Sequence, residues 1–284
     1  MNHPLPPNRF TQARVFAAPV VLLAALALAG CSDGGGDPDV TPVGSELGTC
    51  QPLDKLVGPA TWINPGSDTT VLCPTIPADH NACLSGVTLV AIDSYDETGD
   101  GATGNYYVET TTNDPQPYSG ITVFGPSFSP PDLRVAENDV VDVVGIAEEF
   151  PGPNGAYFPD CRTLPEMAGT MSFRFDGSTG VPPVVVTAEQ LSTYDGARPY
   201  LGMLVKVENV QLGTSSSSKG RYAIGILSGG TVSAADQPKI ANELFDLPGT
   251  VALTAGQTIK SVTGVVSYFY GFHVNPRSAA DIEM

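Results

Sequence analysis

The chain has 284 residues, of which 30 are acidic and 13 are basic, so its formal net charge at neutral pH is −17. Such a chain repels phosphate backbones and anionic lipids, which argues against nucleic acid as its main partner. Glycine (31 residues) and proline (26 residues) are abundant, which favours short strands joined by many turns over long helices.

The first 30 residues are basic and then apolar. Arg9 and Arg14 are their charged residues, and an apolar run follows over residues 15–28. A basic start followed by an apolar run too short to span a bilayer is typical of a secretory signal peptide. The run ends in Leu-Ala-Gly-Cys at residues 28–31, which resembles the lipobox of bacterial lipoproteins. The resemblance implies a signal peptide over residues 1–30 and attachment of lipid to Cys31.

The residues after the cysteine predict the membrane to which the protein is anchored and the tether that follows the anchor. Ser32 favours, by the same resemblance, the outer membrane of the cell envelope, with the protein on its periplasmic or outer face. Residues 31–48 are rich in glycine, aspartate and proline, which predicts a flexible acidic tether without a core. The folded part divides into residues 49–178, an N-terminal segment with a first domain, and residues 179–284, a linker with a second domain.

Four cysteines remain besides the lipidated one: Cys50, Cys73, Cys83 and Cys161. An even number in an exported protein predicts two disulfides, and four cysteines allow three pairings. The short loop favours Cys73–Cys83, which leaves Cys50 to pair with Cys161. A zinc site is the weaker interpretation, because zinc cysteines come in pairs about two to four residues apart.

Short β-branched and aromatic runs alternate with turn residues along the folded part, which predicts antiparallel β structure. The runs are Val87–Ile92, Tyr106–Thr112, Ile121–Phe124, Val140–Ala147, Met203–Val210, Tyr222–Leu227 and Ser261–Phe269. One helix is predicted, over residues 188–193, because Thr187 and Gln190 have the spacing of a capping box.

The two halves of the folded part repeat one order of motifs. Gly86 and Gly202 each head an apolar strand, and Gly-x-Tyr at residues 104–106 recurs at 220–222. Val-x-Gly at 143–145 recurs at 262–264, after a polar turn in both halves. This order indicates a duplication, and each copy resembles the OB-fold, a five-stranded Greek-key barrel. The sequence predicts an all-β protein of two tandem OB-like five-stranded barrels, with a β-sandwich as the alternative.

Residues 264–278 are rich in aromatic side chains and resemble the end of OB-like domains in secreted bacterial proteins. Some of these proteins are lipoproteins of unknown function, and others carry the domain beside an extracellular nuclease. The resemblance covers roughly residues 84–284 and brings no catalytic residue with it. These rings either fill and close the barrel or form a surface that stacks on sugars or bases. The candidate ligand-binding residues are Tyr222, Tyr268, Tyr270, Phe272, His273, Lys219 and Arg221.

An acidic loop lies between the first two predicted strands, with Asp93, Asp96, Glu97 and Asp100. Clustered carboxylates suit Ca²⁺, but an EF-hand that begins at Asp96 would have Tyr107 in place of the bidentate glutamate. We therefore expect no cofactor: the loop is a solvated acidic loop, with a structural Ca²⁺ site outside the EF-hand class as the alternative.

Three further patterns fail as catalytic motifs. Gly-x-Gly-x-x-Gly at residues 99–104 precedes a predicted strand, whereas a dinucleotide site requires a helix there. Ser216 and Lys219 have the spacing of a serine–lysine hydrolase, but they lie in a serine-rich segment that we interpret as a linker. His80 and His273 are too few for a metal-hydrolase motif.

These patterns predict a non-catalytic surface lipoprotein that binds a protein or glycan partner or takes part in envelope assembly. Residues 84–178 carry 3 basic and 15 acidic side chains, whereas residues 196–284 carry 7 basic and 6 acidic ones. The second copy therefore leaves open an accessory nucleic-acid-binding module for an extracellular nuclease. A hydrolase with an unrecognised site is the other alternative.

Overall fold

The structure is a computed structural model that describes residues 50–58, 80–99, 101, 104–153, 157–174, 180–227 and 237–284. Within these ranges the helices are α1 Leu53–Val57, α2 Tyr194–Ala197 and α3 Leu247–Thr250. The strands are β1 His80–Ile92, β2 Asn105–Thr110, β3 Gly120–Phe124, β4 Ser127–Ser129, β5 Val140–Phe150, β6 Leu164–Phe173, β7 Val184–Val186, β8 Leu204–Ser218, β9 Arg221–Leu227, β10 Lys239–Ala241, β11 Thr258–Tyr268, β12 Phe272–Asn275 and β13 Ile282–Glu283. No helix in the described ranges is long and apolar enough to cross a bilayer.

The strands of the first half form a sheet that closes on itself. Strands β1, β2 and β3 are antiparallel neighbours, and β1 also pairs antiparallel with β5. Strand β6 closes the ring, because it pairs antiparallel with β5 and parallel with β3. The order β1-β2-β3-β6-β5 is that of an OB-fold barrel, and we call it the first barrel.

The second half repeats this topology with its own strands. Strands β8, β9 and β10 are antiparallel neighbours, β10 is parallel to β12, and β11 joins β12 to β8. Short β7 and β13 add to β8 and β11. Both sheets close, which open sandwich sheets do not do, so the prediction of two OB-like barrels is confirmed. Both barrels belong to one compact unit.

The repeated Val-x-Gly motif has the same structural role in both barrels. A Cβ on Gly145 in β5 would overlap the carbonyl oxygen of Ala168 in β6. A Cβ on Gly264 in β11 would lie 2.6 Å from the carbonyl carbon of Asn275 in β12. Only glycine lets each pair of neighbouring strands approach so closely, as expected for a strand that coils around a small barrel.

The first pair of repeated glycines is not equivalent. Gly86 lies inside β1, at a shift of register against β5, rather than at the head of the strand. Gly202 precedes β8, and a Cβ there would lie 2.6 Å from the backbone nitrogen of Ile121 in the first barrel. The predicted correspondence of these two glycines is therefore wrong, because one shapes a strand and the other an inter-barrel contact.

The predicted capping box is present, but the helix behind it is short. The Gln190 backbone N–H donates to the Thr187 hydroxyl (3.1 Å), and the Thr187 N–H donates to the Gln190 side chain (2.8 Å). A single 3₁₀ turn, residues 190–192, follows, and Thr193 is extended. Thr193 then caps α2, which ends before Pro199, so two short turns replace the predicted helix.

The disulfide pairing differs from the predicted one. Cys83 in β1 bonds to Cys50, so the favoured Cys73–Cys83 and Cys50–Cys161 pairs are both wrong. Cys73 and the side chain of Cys161 lie outside the described residues, as do Cys31, the signal peptide and the tether. The bond ties α1 to the first barrel, whose core its Leu53, Leu56 and Val57 join.

Buried polar contacts and close backbone packing join the barrels. One side-chain oxygen of Glu109 in β2 accepts a hydrogen bond from the Leu204 N–H at the start of β8. Arg277 of the second barrel donates to the carbonyl of Val90 in β1 at 3.3 Å. Such contacts between buried groups fix one arrangement of the barrels, because a group left unpaired would lose its hydration without compensation.

Candidate aromatic binding site

The hairpin between β11 and β12 carries aromatic side chains at one end of the second barrel. Its tip residue, Tyr270, has a φ of 53°, in the left-handed region that residues with a side chain seldom adopt. The rings of Phe269 and Tyr270 stay 36% and 47% exposed. In the OB topology this tip is the loop between the fourth and fifth strands, one of the loops that OB-folds use for ligands.

A cavity of about 240 Å³ opens beside this hairpin. Three segments form it: the connection between β5 and β6 of the first barrel, the linker that contains α2, and the hairpin itself. The lining residues are Pro159, Asp160, Arg162, Ser192, Tyr194, Tyr268, Tyr270, Gly271 and Phe272.

Aromatic rings form the wall of the cavity. The rings of Tyr268 and Phe272 are 4.9 Å apart, and the ring of Tyr194 lies 5.7 Å from Tyr268. Behind them the buried Phe158 makes edge contacts with Tyr268 at 4.9 Å and Tyr270 at 5.2 Å. The edge-to-face contacts hold the rings in fixed orientations, so the wall is preformed.

Charged groups complete the cavity. The Arg162 guanidinium lies 5.6 Å from the centre of the Tyr194 ring and 3.7 Å from the Asp160 carboxylate. Burial raises the pKa of Tyr268, although nearby Arg162 lowers it, so the phenol stays protonated at neutral pH. The cavity thus offers an aromatic wall with hydrogen-bond donors and acceptors at its edge.

A buried ion pair supports the wall from behind. The Tyr194 hydroxyl donates to the Thr163 carbonyl (2.7 Å) and accepts from Arg198 (3.2 Å). Arg198 also binds the Glu149 carboxylate of β5 through both of its terminal nitrogens. Since Glu149 is 3% exposed, this network fixes Tyr194 against the first barrel.

A second polar cluster lies on β11 and β12 and does not form a catalytic triad. The Glu243 carboxylate accepts from Ser267 (3.0 Å) and Asn275 (2.8 Å) and bonds His273 Nδ1 (2.9 Å). Burial raises the pKa of Glu243, but the His273 contact and the Ser267 hydrogen bond outweigh it, so the pKa is lowered. Serine and histidine both bond the carboxylate, whereas a triad needs histidine bonded to serine.

The acidic loop uses its carboxylates within the fold. Asp96 accepts hydrogen bonds from the N–H groups of Gly99 (2.8 Å) and Gly101 (2.9 Å). Glu97 forms an ion pair with Arg221 at 3.1 Å. Burial, and then Glu97 and Glu243, raise the pKa of Asp93 to about 7. Asp100 is not among the described residues, and within the described ranges no three His, Cys, Asp or Glu side chains are placed to hold a metal ion.

The structure separates the predicted ligand-binding residues into groups. Tyr268, Tyr270 and Phe272 line the cavity, whereas His273 belongs to the Glu243 cluster. Lys219 occupies the turn between β8 and β9, and Ser216 lies in β8, so the serine-rich segment is a strand end rather than a linker. The remaining two do not line the cavity: Arg221 lies 5.0 Å from the centre of the Phe269 ring, and Tyr222 packs against the core of the second barrel.

Sequence reasoning missed four of the residues that line the cavity: Arg162, Asp160, Ser192 and Tyr194. They lie in the first half and in the linker, far along the chain from the hairpin. The aromatic C-terminal motif shows one wall of the cavity. Nothing in the local sequence shows that residues 159–162 reach that wall, because only the packing of the barrels brings them together.

Comparison with known proteins adds likeness at the level of solved structures. No protein-family model matches the chain, and no curated protein matches it significantly. The HINa domain of Ifi202, solved with a 20-bp double-stranded DNA, is 11% identical, with 71% of this chain and 94% of that chain covered and a TM-score of 0.33. A replication protein A heterotrimer bound to single-stranded DNA is 12% identical, with 78% and 53% covered and a TM-score of 0.22. Both scores are low, so the strand pairing rather than these likenesses defines the fold.

Proposed function

We propose that this is a non-catalytic binding protein whose aromatic cavity holds one sugar ring of a glycan. The observation that carries the proposal is the half-exposed ring of Tyr270 beside Arg162 and Asp160, at a cavity backed by buried aromatic rings. The C–H face of a sugar ring stacks on aromatic rings, and its hydroxyls exchange hydrogen bonds with charged side chains. The volume lies below the roughly 300–1,000 Å³ of drug-sized pockets, which suits a single ring.

The lining residues support binding rather than catalysis. Glycoside hydrolysis uses two carboxyl groups on either side of the scissile bond. Asp160 is the carboxylate among the residues that line the cavity, and it faces Arg162. A single carboxylate beside an arginine serves to orient a ligand, and it lacks the second acid or base that cleavage requires.

Charge supports a neutral glycan over nucleic acid. A nucleic-acid groove needs arginines and lysines that are available to phosphates. Here Arg221 faces Glu97 and Arg162 faces Asp160, within a chain of net charge −17. These two arginines therefore already have acidic partners.

A glycan panel tests the proposal by titration calorimetry on the full chain. The wild type is expected to bind a neutral oligosaccharide, and Tyr270→Ala to bind it about two- to tenfold more weakly, because a lost stacking contact costs roughly 0.5–1.5 kcal/mol. Tyr157→Ala is the matched control, since Tyr157 is 62% exposed and does not line the cavity. Tyr157→Ala should bind like the wild type.

Two outcomes would contradict the proposal. One is an equal loss of affinity in Tyr270→Ala and Tyr157→Ala, which would place the ligand elsewhere. The other is binding of single-stranded DNA that falls steeply with salt and is unchanged in Tyr270→Ala, which would favour the nucleic-acid alternative.

We also propose that lipid on Cys31 holds this binding protein at the bacterial envelope, facing the periplasm or the outside. The support is the sequence: a basic start, a short apolar run and the lipobox-like residues 28–31, followed by the acidic tether. A flexible tether would let the cavity reach polysaccharide near the membrane surface.

A further inference from the structure

The outer face of the first barrel carries an exposed apolar row. In β5 and β6, Ile146 pairs with Ala168, and both side chains point away from the core that Ala147 and Met167 fill. Strand β3 is parallel to β6 with Val123 beside Met167, so Phe124 follows beside Ala168. Phe124 is 59% exposed and Ile146 is 41% exposed.

An acidic row runs beside the apolar one. Glu148 of β5 pairs with Glu166 of β6, and Thr122 of β3 pairs with Glu166 from the other side. By the same alternation these side chains also point out of the barrel, although Thr122 is only 3% exposed because it lies beside Tyr107, which is buried in a cluster with Leu204 of the second barrel. The Thr122 hydroxyl is buried without a hydrogen-bond partner among the described residues. Two carboxylates thus lie directly opposite each other, next to an unsatisfied hydroxyl and one residue pair away from exposed apolar side chains.

Like charges placed directly opposite on neighbouring strands destabilise a sheet unless a proton or a cation neutralises them. Burial, followed by the charge of Glu148 and its hydrogen bond, raises the pKa of Glu166 to about 8. Residues 84–178 contain three basic side chains, and all three are engaged elsewhere. Arg134 donates to carbonyls at residues 132 and 133, Arg162 faces Asp160, and Arg174 binds Asp142.

We propose that this face, formed by Phe124, Ala168, Ile146, Glu148 and Glu166, docks a basic segment of a partner protein. A lysine or arginine of that segment binds the two carboxylates, and its aliphatic neighbours cover the apolar row. The complementarity rests on the 15 acidic and 3 basic side chains of residues 84–178. The cationic side chain of the partner takes the place of the proton that the two carboxyl groups otherwise share. Contact with the apolar row adds affinity that depends little on salt.

Fluorescence anisotropy with a labelled peptide of alternating lysine and valine tests the proposal on the full chain at about physiological salt. Three variants are each expected to weaken peptide binding about tenfold or more: Glu166→Gln, Glu148→Gln and Phe124→Ser. Glu208→Gln removes an exposed carboxylate of β8 in the second barrel and serves as the control that keeps wild-type affinity. The amide variants mimic the protonated pair, and Phe124 is exposed, so all variants should keep the wild-type melting temperature.

Each alternative explanation of peptide binding predicts a different experimental result. An equal loss in Glu208→Gln, or no loss in Phe124→Ser, would show general attraction to an acidic protein and overturn the proposal. So would a wild type that ignores the peptide but is stabilised by Ca²⁺ in a way that Glu148→Gln abolishes. Tyr270→Ala should bind the peptide normally, so failure at this face and failure at the aromatic cavity are distinguishable.

Discussion

Glu109 shows how one buried carboxyl links the two barrels. Its side chain is fully buried in β2, where one oxygen accepts from the Leu204 N–H and the other has no partner among the described residues. Burial raises the pKa of Glu109 to about 8, although the Leu204 hydrogen bond and the charge of Arg277 lower it. The carboxyl is therefore mainly protonated in the folded protein at neutral pH.

We expect Glu109→Gln to stabilise the protein in alkali and to leave it almost unchanged in mild acid. The pKa of Glu109 rises from 4.5 to about 8 on folding, so its contribution is fully present below pH 4.5 and is lost as the pH rises through 8. Glutamine stays neutral and still accepts from Leu204. Thermal melts at about pH 4 and pH 9 measure the difference, which should appear at the higher pH.

Glu208→Gln is the control for this experiment, because it removes a carboxylate that is exposed in β8. Its melting temperature should follow that of the wild type at both pH values. A Glu109→Gln variant with the same pH profile as the wild type would show that Glu109 is ionised in the folded protein.

At the scale of elements, local patterns predicted the fold well. The alternating runs are strands, and the glycines of both Val-x-Gly motifs lie where a side chain would overlap the next strand. These features depend on contacts between neighbouring strands of one barrel, which the alternation of a single strand already indicates. The capping box at Thr187 was predicted on the same local basis, but the length of the turn behind it was not.

Pairings across distant elements were harder to predict. The favoured Cys73–Cys83 pair followed from loop length alone, whereas Cys83 in fact lies in β1 beside the segment that enters α1. For the same reason, sequence patterns predicted only the hairpin wall of the cavity, since Arg162 and Tyr194 reach the cavity through packing between the barrels. The separation of two residues along the chain does not predict contacts that form only when the two barrels pack together.

Helix α1 depends on the disulfide that precedes it. A five-residue helix is too short to be stable alone, yet its Leu53, Leu56 and Val57 are 1–4% exposed in the core of the first barrel. Cys50–Cys83 bridges 33 residues of chain, and the Gln51 N–H donates to the Cys83 carbonyl at 3.1 Å. The covalent bond therefore keeps an otherwise marginal segment in place.

We expect the double variant Cys50→Ser/Cys83→Ser to lose about 3 kcal/mol of unfolding free energy, because the unfolded chain regains the entropy that the bond removes. Urea unfolding measures the loss. Lys55→Ala is the control on the exposed side of α1 and should unfold like the wild type. Equal unfolding midpoints for the wild type with and without reductant would contradict the expected role of the bond.

At the scale of the whole molecule, the two barrels share one topology but differ in the charge and the aromatic content of their surfaces. The first barrel carries most of the negative charge and the acidic docking face, whereas the second carries the aromatic hairpin. The cavity needs both, because residues 159–162 of the first barrel complete a wall built by the second. In the two proposals, the second barrel therefore provides ligand contacts while the first binds a partner.

The proposed anchor predicts where the whole molecule is found in a bacterial host. Lipid on Cys31 should direct the wild type to the membrane fraction, since several acyl chains give stable anchoring at about 0.8 kcal/mol per buried CH₂. Metabolic labelling with palmitate should mark the wild type, whereas Cys31→Ser should stay unlabelled and leave the membrane fraction. Cys73→Ser is the matched control, because it removes another cysteine of the mature chain and should stay labelled. A wild type that takes up no palmitate would refute the anchor, while the glycan and peptide experiments would keep their meaning because neither depends on lipid.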